Sequence, residues 1–257
     1  MKLGAQLYTV HAHLTTPEDM RDIFFKMKEI GYENVQLSGH KVTDPEIIRD
    51  ISRESGMDIV ITHTPADRIL NDTEAVIAEH KLFGCPVVGL GGMAKEYRTG
   101  AEGAEKFVAD FTPAVEKIRA AGLQFAYHNH AFELETPYDS ERSVFDYLIE
   151  TCKTWLFTAD TYWIKKGGQD VETYLRKIGS ERLTNVHYKD MAADEEKSIC
   201  ACGDGILDFA HLTKVCEELG VENILVEQDN ASKCEGGDVA QITRSFAHLR
   251  PIIPMEK

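Results

Sequence analysis

No run in this 257-residue chain approaches the roughly 20 apolar residues that a membrane-spanning helix requires, so no membrane partner is expected. Positive charge is scarce. Lys and Arg number 28 against 43 Asp and Glu, a formal net charge of −15. A surface this acidic repels phosphate backbones and removes the electrostatic driving force for nucleic-acid binding. It weakens a phosphorylated substrate without excluding one, because a basic pocket can sit on an acidic protein. The six cysteines, at 85, 152, 200, 202, 216 and 234, form no Cys-x-x-Cys pair and are scattered. They read as reduced structural thiols, with Cys200 and Cys202 sharing a polar loop. The opening MKLGAQLYTV lacks the basic, apolar and small-residue phases of a signal peptide, which makes a cytoplasmic address the expectation. No Gly-x-Gly-x-x-Gly turn follows the first strand, which removes the commonest dinucleotide-binding sheet. Pro/Ser-rich linkers and low-complexity segments are absent too, so residues 1–257 read as one domain.

What is present is a repeat of architecture. Short apolar runs (LGAQLY, NVQLS, DIVITH, VVGLGG, QFAYHNH, WLFTAD, LTNVHYK and NILVEQ) alternate with amphipathic stretches near 17–30, 45–55, 72–83, 103–121, 143–152, 171–178, 209–219 and 238–249. Several stretches end in Gly just before the next run, as a left-handed helix terminus requires. Strict alternation predicts a parallel sheet covered on both faces. Eight such units in about 250 residues predict a single (β/α)8 TIM barrel, with an open doubly wound sheet as the alternative. The longest irregular stretch, Met191–Gly205, follows a strand and reads as a lid over the catalytic face.

In such a barrel the strand C-termini build the active site. Strand five ends in His128, Asn129 and His130, with Glu133 just beyond; strand six ends in Asp160. Strand seven offers His187, Lys189 and Asp190, and strand eight Glu227 and Asp229. Asp170 and Asp208, near helix starts, read as caps, and Asp194, Glu195 and Glu196 as a solvated loop. Asp160 and Glu227 differ because they directly follow apolar runs, where an unpartnered carboxylate is costly. Three carboxylates and one imidazole converging on a barrel mouth call for a divalent cation. That donor set suits Mn2+ best, with Co2+, Mg2+ or Zn2+ as alternatives.

The ordered motifs QLYTV, YHNHAFEL, TADTYW, NVHYKD and LVEQD span essentially the whole chain. Together they resemble the xylose-isomerase-like barrels, in particular the sugar isomerase/epimerase branch related to D-tagatose 3-epimerase and inosose dehydratase. The resemblance implies one divalent metal held by Glu133, Asp160, His187 and Glu227, with Glu133 and Glu227 doubling as the catalytic acid/base pair. The epimerases carry a substrate-contacting His three residues after the strand-six aspartate, whereas this chain has Trp163 there. Its His-Tyr-Lys-Asp motif is closer to the dehydratase-like relatives, so the sugar class stays open.

The expected chemistry is proton transfer beside a carbonyl of a ketose or keto-sugar through an enediolate stabilised by the metal. Return of the proton to the opposite face is epimerisation, and its return to the neighbouring carbon is isomerisation. Expulsion of a β-leaving group gives a keto-sugar lyase or dehydratase, the alternative reading. His63, His130 and Lys189 are candidate substrate contacts, Tyr8 and Trp163 candidate walls for a sugar face, and Gln6 a candidate hydroxyl partner; His128 reads as structural. A small sugar is the expected partner, and a homo-oligomer is common for this barrel type. Zinc-dependent abasic-site endonucleases share the barrel, but their extra histidines are missing at strand ends six and seven. A non-catalytic sugar-binding barrel would have no reason to converge two glutamates on a metal.

Overall fold

Helix starts are written locally as Thr-Pro-Glu and Asp-Pro-Glu. Thr16 caps α1 (Pro17–Ile30), its hydroxyl accepting from the Asp19 amide at 3.2 Å, and Asp44 caps α2 (Pro45–Ser55). Proline at the first helical position has no N–H to leave unpaired. The end of α1 is equally local: Gly31 takes φ 115°, a left-handed value that a side chain disfavours.

The computed structural model describes residues 1–254. In chain order its strands are β1 (Lys2–Gln6), β2 (Asn34–Leu37), β3 (Asp58–Thr62), β4 (Val87–Leu90), β5 (Gln124–His128), β6 (Leu156–Asp160), β7 (Leu183–Tyr188), the hairpin pair β8 (Asp190–Met191) and β9 (Ile199–Cys200), and β10 (Asn223–Val226). The remaining α-helices are α3 (Ala66–Asn71), α4 (Thr73–Phe83), α5 (Ala101–Ala120), α6 (Ala131–Glu135), α7 (Val144–Thr151), α8 (Thr161–Lys166), α9 (Val171–Ile178), α10 (Phe209–Glu218) and α11 (Gly237–Leu249). The eight expected strands and eight expected helices are all present. Asp170 and Asp208 cap α9 and α10, as expected.

Eight parallel strands run in the order β3-β2-β1-β10-β7-β6-β5-β4, which is a TIM barrel with a seam between β3 and β4. The seam is bridged by the Thr64 amide donating to the Gly89 carbonyl at 2.8 Å. A Cβ on Gly89 would lie 2.1 Å from the Thr62 carbonyl oxygen, so only glycine lets the two backbones approach there. No helix among the described residues is long and apolar enough to cross a membrane.

Two local features depart from the expectation. Strand five stops at His128, sooner than the run QFAYHNH implies, and short helices that were not expected follow β5 and β6: α6 from Ala131 and α8 from Thr161. The stretch expected as a lid is tied down. It carries the β8–β9 hairpin, and the buried Asp190 carboxylate accepts the amides of Met191, Gly203, Gly205 and Leu207 at 2.8–3.2 Å.

Candidate metal centre and cavity

Strand register decides which side chains meet. His128 pairs with Thr158 across β5 and β6, Asp160 with His187 across β6 and β7, and His187 with Leu225 across β7 and β10. Side chains alternate faces along a strand, so Asp160, two residues past Thr158, shares the face of His128. Glu227, two past Leu225, shares the face of His187. The result is four buried side chains, His128, Asp160, His187 and Glu227, whose donor atoms all lie within 4.8 Å of one another.

The hydrogen bonds orient these donors inward. His128 Nδ1 donates to the Gly91 carbonyl at 3.1 Å, which turns Nε2 toward Asp160 Oδ2 at 3.4 Å. His187 Nε2 lies 2.6 Å from Gln36 Oε1, leaving Nδ1 facing Glu227 Oε2 at 2.9 Å. Asp160 divides its work. Oδ1 caps α8 by accepting the Trp163 amide at 2.9 Å, while Oδ2 turns to the cluster. Two imidazoles and two carboxylates turned toward one another are a donor set that would fit a divalent transition-metal ion once the ion displaces the protons between them.

Lys189, two residues beyond His187, enters the same cluster. Its ammonium sits 3.1 Å from Asp160 Oδ2, 2.9 Å from Glu227 Oε2 and 3.1 Å from Asp229 Oδ2, and 5.2 Å from the centroid of the Trp163 ring. Burial opposes charge on all of these groups, but their mutual attraction wins for most. Lys189 draws the Asp160 and Glu227 carboxyls well below the usual range, and those carboxylates raise both Lys189 and His187. Asp229 goes the other way: burial and the neighbouring Glu227 charge push it up to about 6.

Glu133, expected as a ligand and as one of the acid/base pair, is not among these four converging donors. It is fully buried at the third position of α6, where one carboxylate oxygen accepts the Tyr127 hydroxyl and the other the His130 amide at 2.8 Å. That is a capping box, with His130 as the cap. Burial pushes the Glu133 carboxyl up to about 8. His128, expected to be structural, takes its place among the converging donors. His128 is the last residue of β5, and its register with Thr158 puts it on the same face as Asp160.

A cavity of about 400 Å³ adjoins the cluster, lined by its members His128 and Glu227, by Lys189 and Asp229, and by Tyr8, Ser38, His63, Gly91 and His130. The Gln6 amide lies 3.3 Å from His63 Nδ1, so Gln6 orients this ring. His63 Nε2 and His130 Nδ1 have no protein partner among the described residues, and burial lowers both rings' basicity, His130 to about 3. Both therefore stay neutral and keep polar atoms for a ligand. The Trp163 ring packs against that of His130, ring centroids 5.1 Å apart. Cys200 and Cys202 have thiols raised by burial and join no group of converging metal donors among the described residues.

The fold is shared widely. A sugar phosphate isomerase/epimerase from Parabacteroides distasonis ATCC 8503 superposes with a TM-score of 0.81 at 19% identity, covering 98% of this chain and 96% of that one. The IOLI protein with a bound zinc atom superposes at 0.73 and 11% identity, covering 98% of each chain. The probable 3-DHS dehydratase AsbF from Bacillus anthracis does so at 0.73 and 11%, covering 97% and 99%. No curated protein matches the sequence. A family model described as the xylose isomerase-like TIM barrel matches residues 24–252, nearly the whole barrel that carries these four donors, and the chain belongs to that family.

Proposed function

We propose that this protein is a divalent-metal-dependent enzyme of the sugar isomerase/epimerase type, removing and returning a proton beside the carbonyl of a keto-sugar. The observation that carries the reading is the convergence of His128, Asp160, His187 and Glu227, of which His128 and Glu227 line a sugar-sized cavity. These four residues would hold the ion, and two imidazoles favour Mn2+, Co2+ or Zn2+ over Mg2+. When bound, such an ion would polarise a carbonyl and make the adjacent C–H acidic.

The chain's own groups supply the rest. Glu227, lining the cavity, is the carboxylate placed to take the proton. His63 Nε2 and His130 Nδ1 are placed to bind sugar hydroxyls, and Tyr8, 39% exposed, to cover a ring face. With Glu133 buried in its cap, the acidic groups lining the cavity, Glu227 and Asp229, both come from the residues just after β10. Proton removal and return on one face are therefore favoured, as in aldose–ketose isomerisation, over inversion between two glutamates.

A second reading is supported by Asp229. Its carboxyl, pushed up to about 6, is suited to protonate a leaving hydroxyl while Glu227 takes the proton, which is β-elimination by a keto-sugar lyase. Incubation of the Mn2+-loaded protein in D2O with ketohexoses, inososes and 3-keto-glucosides, followed by NMR, separates these readings. Deuterium beside the carbonyl with a new sugar indicates isomerisation or epimerisation, and an unsaturated product or released aglycone indicates a lyase. Absence of exchange with every substrate despite bound metal would favour a non-catalytic sugar-binding barrel.

A further inference from the structure

Lys189 is among the largest fully buried side chains of the protein, 1% exposed at the centre of the barrel mouth. The two oxygens nearest its ammonium on the ligand set, Asp160 Oδ2 and Glu227 Oε2, are the same oxygens that face the imidazoles of the four-residue cluster. One pair of lone-pair positions thus serves two cations. A third carboxylate, Asp229, lies 3.1 Å from the ammonium, is not one of the four donors, and is 29% exposed at the cavity wall.

We propose that Lys189 is a resident counter-cation that competes with the divalent ion for Asp160 and Glu227, and that Asp229 retains its ammonium when the ion takes those two carboxylates. This rests on the reading of the cluster as a metal centre. The physical reason lies in charge. Buried carboxylates this close repel one another unless a cation stands among them, and the ammonium fills that role without any ion. A divalent ion claims the same oxygens, so the ammonium must give up two contacts and keep one. Retained by Asp229, it stands at the cavity wall with N–H donors free for a sugar oxygen. Metal binding and the preparation of the substrate site become one event.

Mn2+ binding measured by calorimetry on the wild type, Lys189→Met and Asp160→Asn tests this. The expected result is Mn2+ affinity about tenfold or more higher in Lys189→Met, the scale of one charged hydrogen bond no longer displaced, with binding lost in Asp160→Asn. Equal or weaker affinity in Lys189→Met, with binding still lost in Asp160→Asn, would overturn the competition and leave the metal centre standing. No Mn2+ binding by either the wild type or Lys189→Met would overturn both. A crystal structure of the Mn2+-soaked wild type tests the same point without a variant. The ammonium should stay on Asp229 and lie beyond about 3.5 Å of Asp160 Oδ2. An ammonium still on Asp160 with the ion bound would refute the proposal.

Discussion

His187 is held from both sides, with Nε2 2.6 Å from Gln36 Oε1 and Nδ1 2.9 Å from Glu227 Oε2. Gln36 comes from β2, across the barrel lumen from β7, and it fixes which ring nitrogen faces the cluster. Gln36→Leu keeps the side-chain volume and removes that constraint. Metal affinity is expected to fall about 10- to 100-fold, read by Mn2+ titration, while thermal unfolding confirms that the barrel is intact.

The two glutamates of the expected acid/base pair are predicted to behave differently. Glu227→Gln should lose Mn2+ binding, because it removes one of the four converging donors. Glu133→Gln should keep it within a few-fold, because Glu133 binds Tyr127 and the His130 amide instead. Calorimetric titration of both variants distinguishes this arrangement from the ligand set that resemblance implies.

Glu133 also predicts a pH dependence of stability. Its carboxyl is raised by burial from 4.5 to about 8 in the folded protein, so the folded state holds a proton that the unfolded state releases. Stability from this group is complete below about pH 4.5 and is lost as pH rises through about 8. Chemical denaturation of the metal-free protein between those limits should show wild-type stability declining with pH. The same series on Glu133→Gln should be flatter.

Asp190 gathers the amides of Met191, Gly203, Gly205 and Leu207 around one buried carboxylate. Asp190→Ala leaves those donors without their acceptor, and the expected loss is about 3 kcal/mol. For a chain of this length that corresponds to a melting temperature lower by roughly 6–12 °C, measured by differential scanning calorimetry. Limited proteolysis should then cut first between Met191 and Gly205.

Much of the barrel was legible because its determinants are local. Thr16-Pro17 and Asp44-Pro45 start helices, Gly31 ends one, and apolar runs between them have no stable place except a covered parallel sheet. Asp160, His187 and Glu227 could be found for a related reason: each ends or follows an apolar run, so its depth is written next to it in the chain. The short helices α6 and α8 were harder to see, because each begins within three residues of a strand's end.

The sequence by itself therefore determined the order of elements, the barrel and three of the four converging donors. Tertiary structure alone decided the fourth donor and the partners. Whether His128 or Glu133 reaches the cluster depends on where β5 stops and on a Tyr127 hydroxyl that claims the glutamate. Gln36 and Lys189 acquire their roles only from residues on other strands, Gln36 at His187 and Lys189 among Asp160, Glu227 and Asp229. Strand-end chemistry is encoded along the chain, but the few ångströms that separate a ligand from a cap are set when the barrel closes.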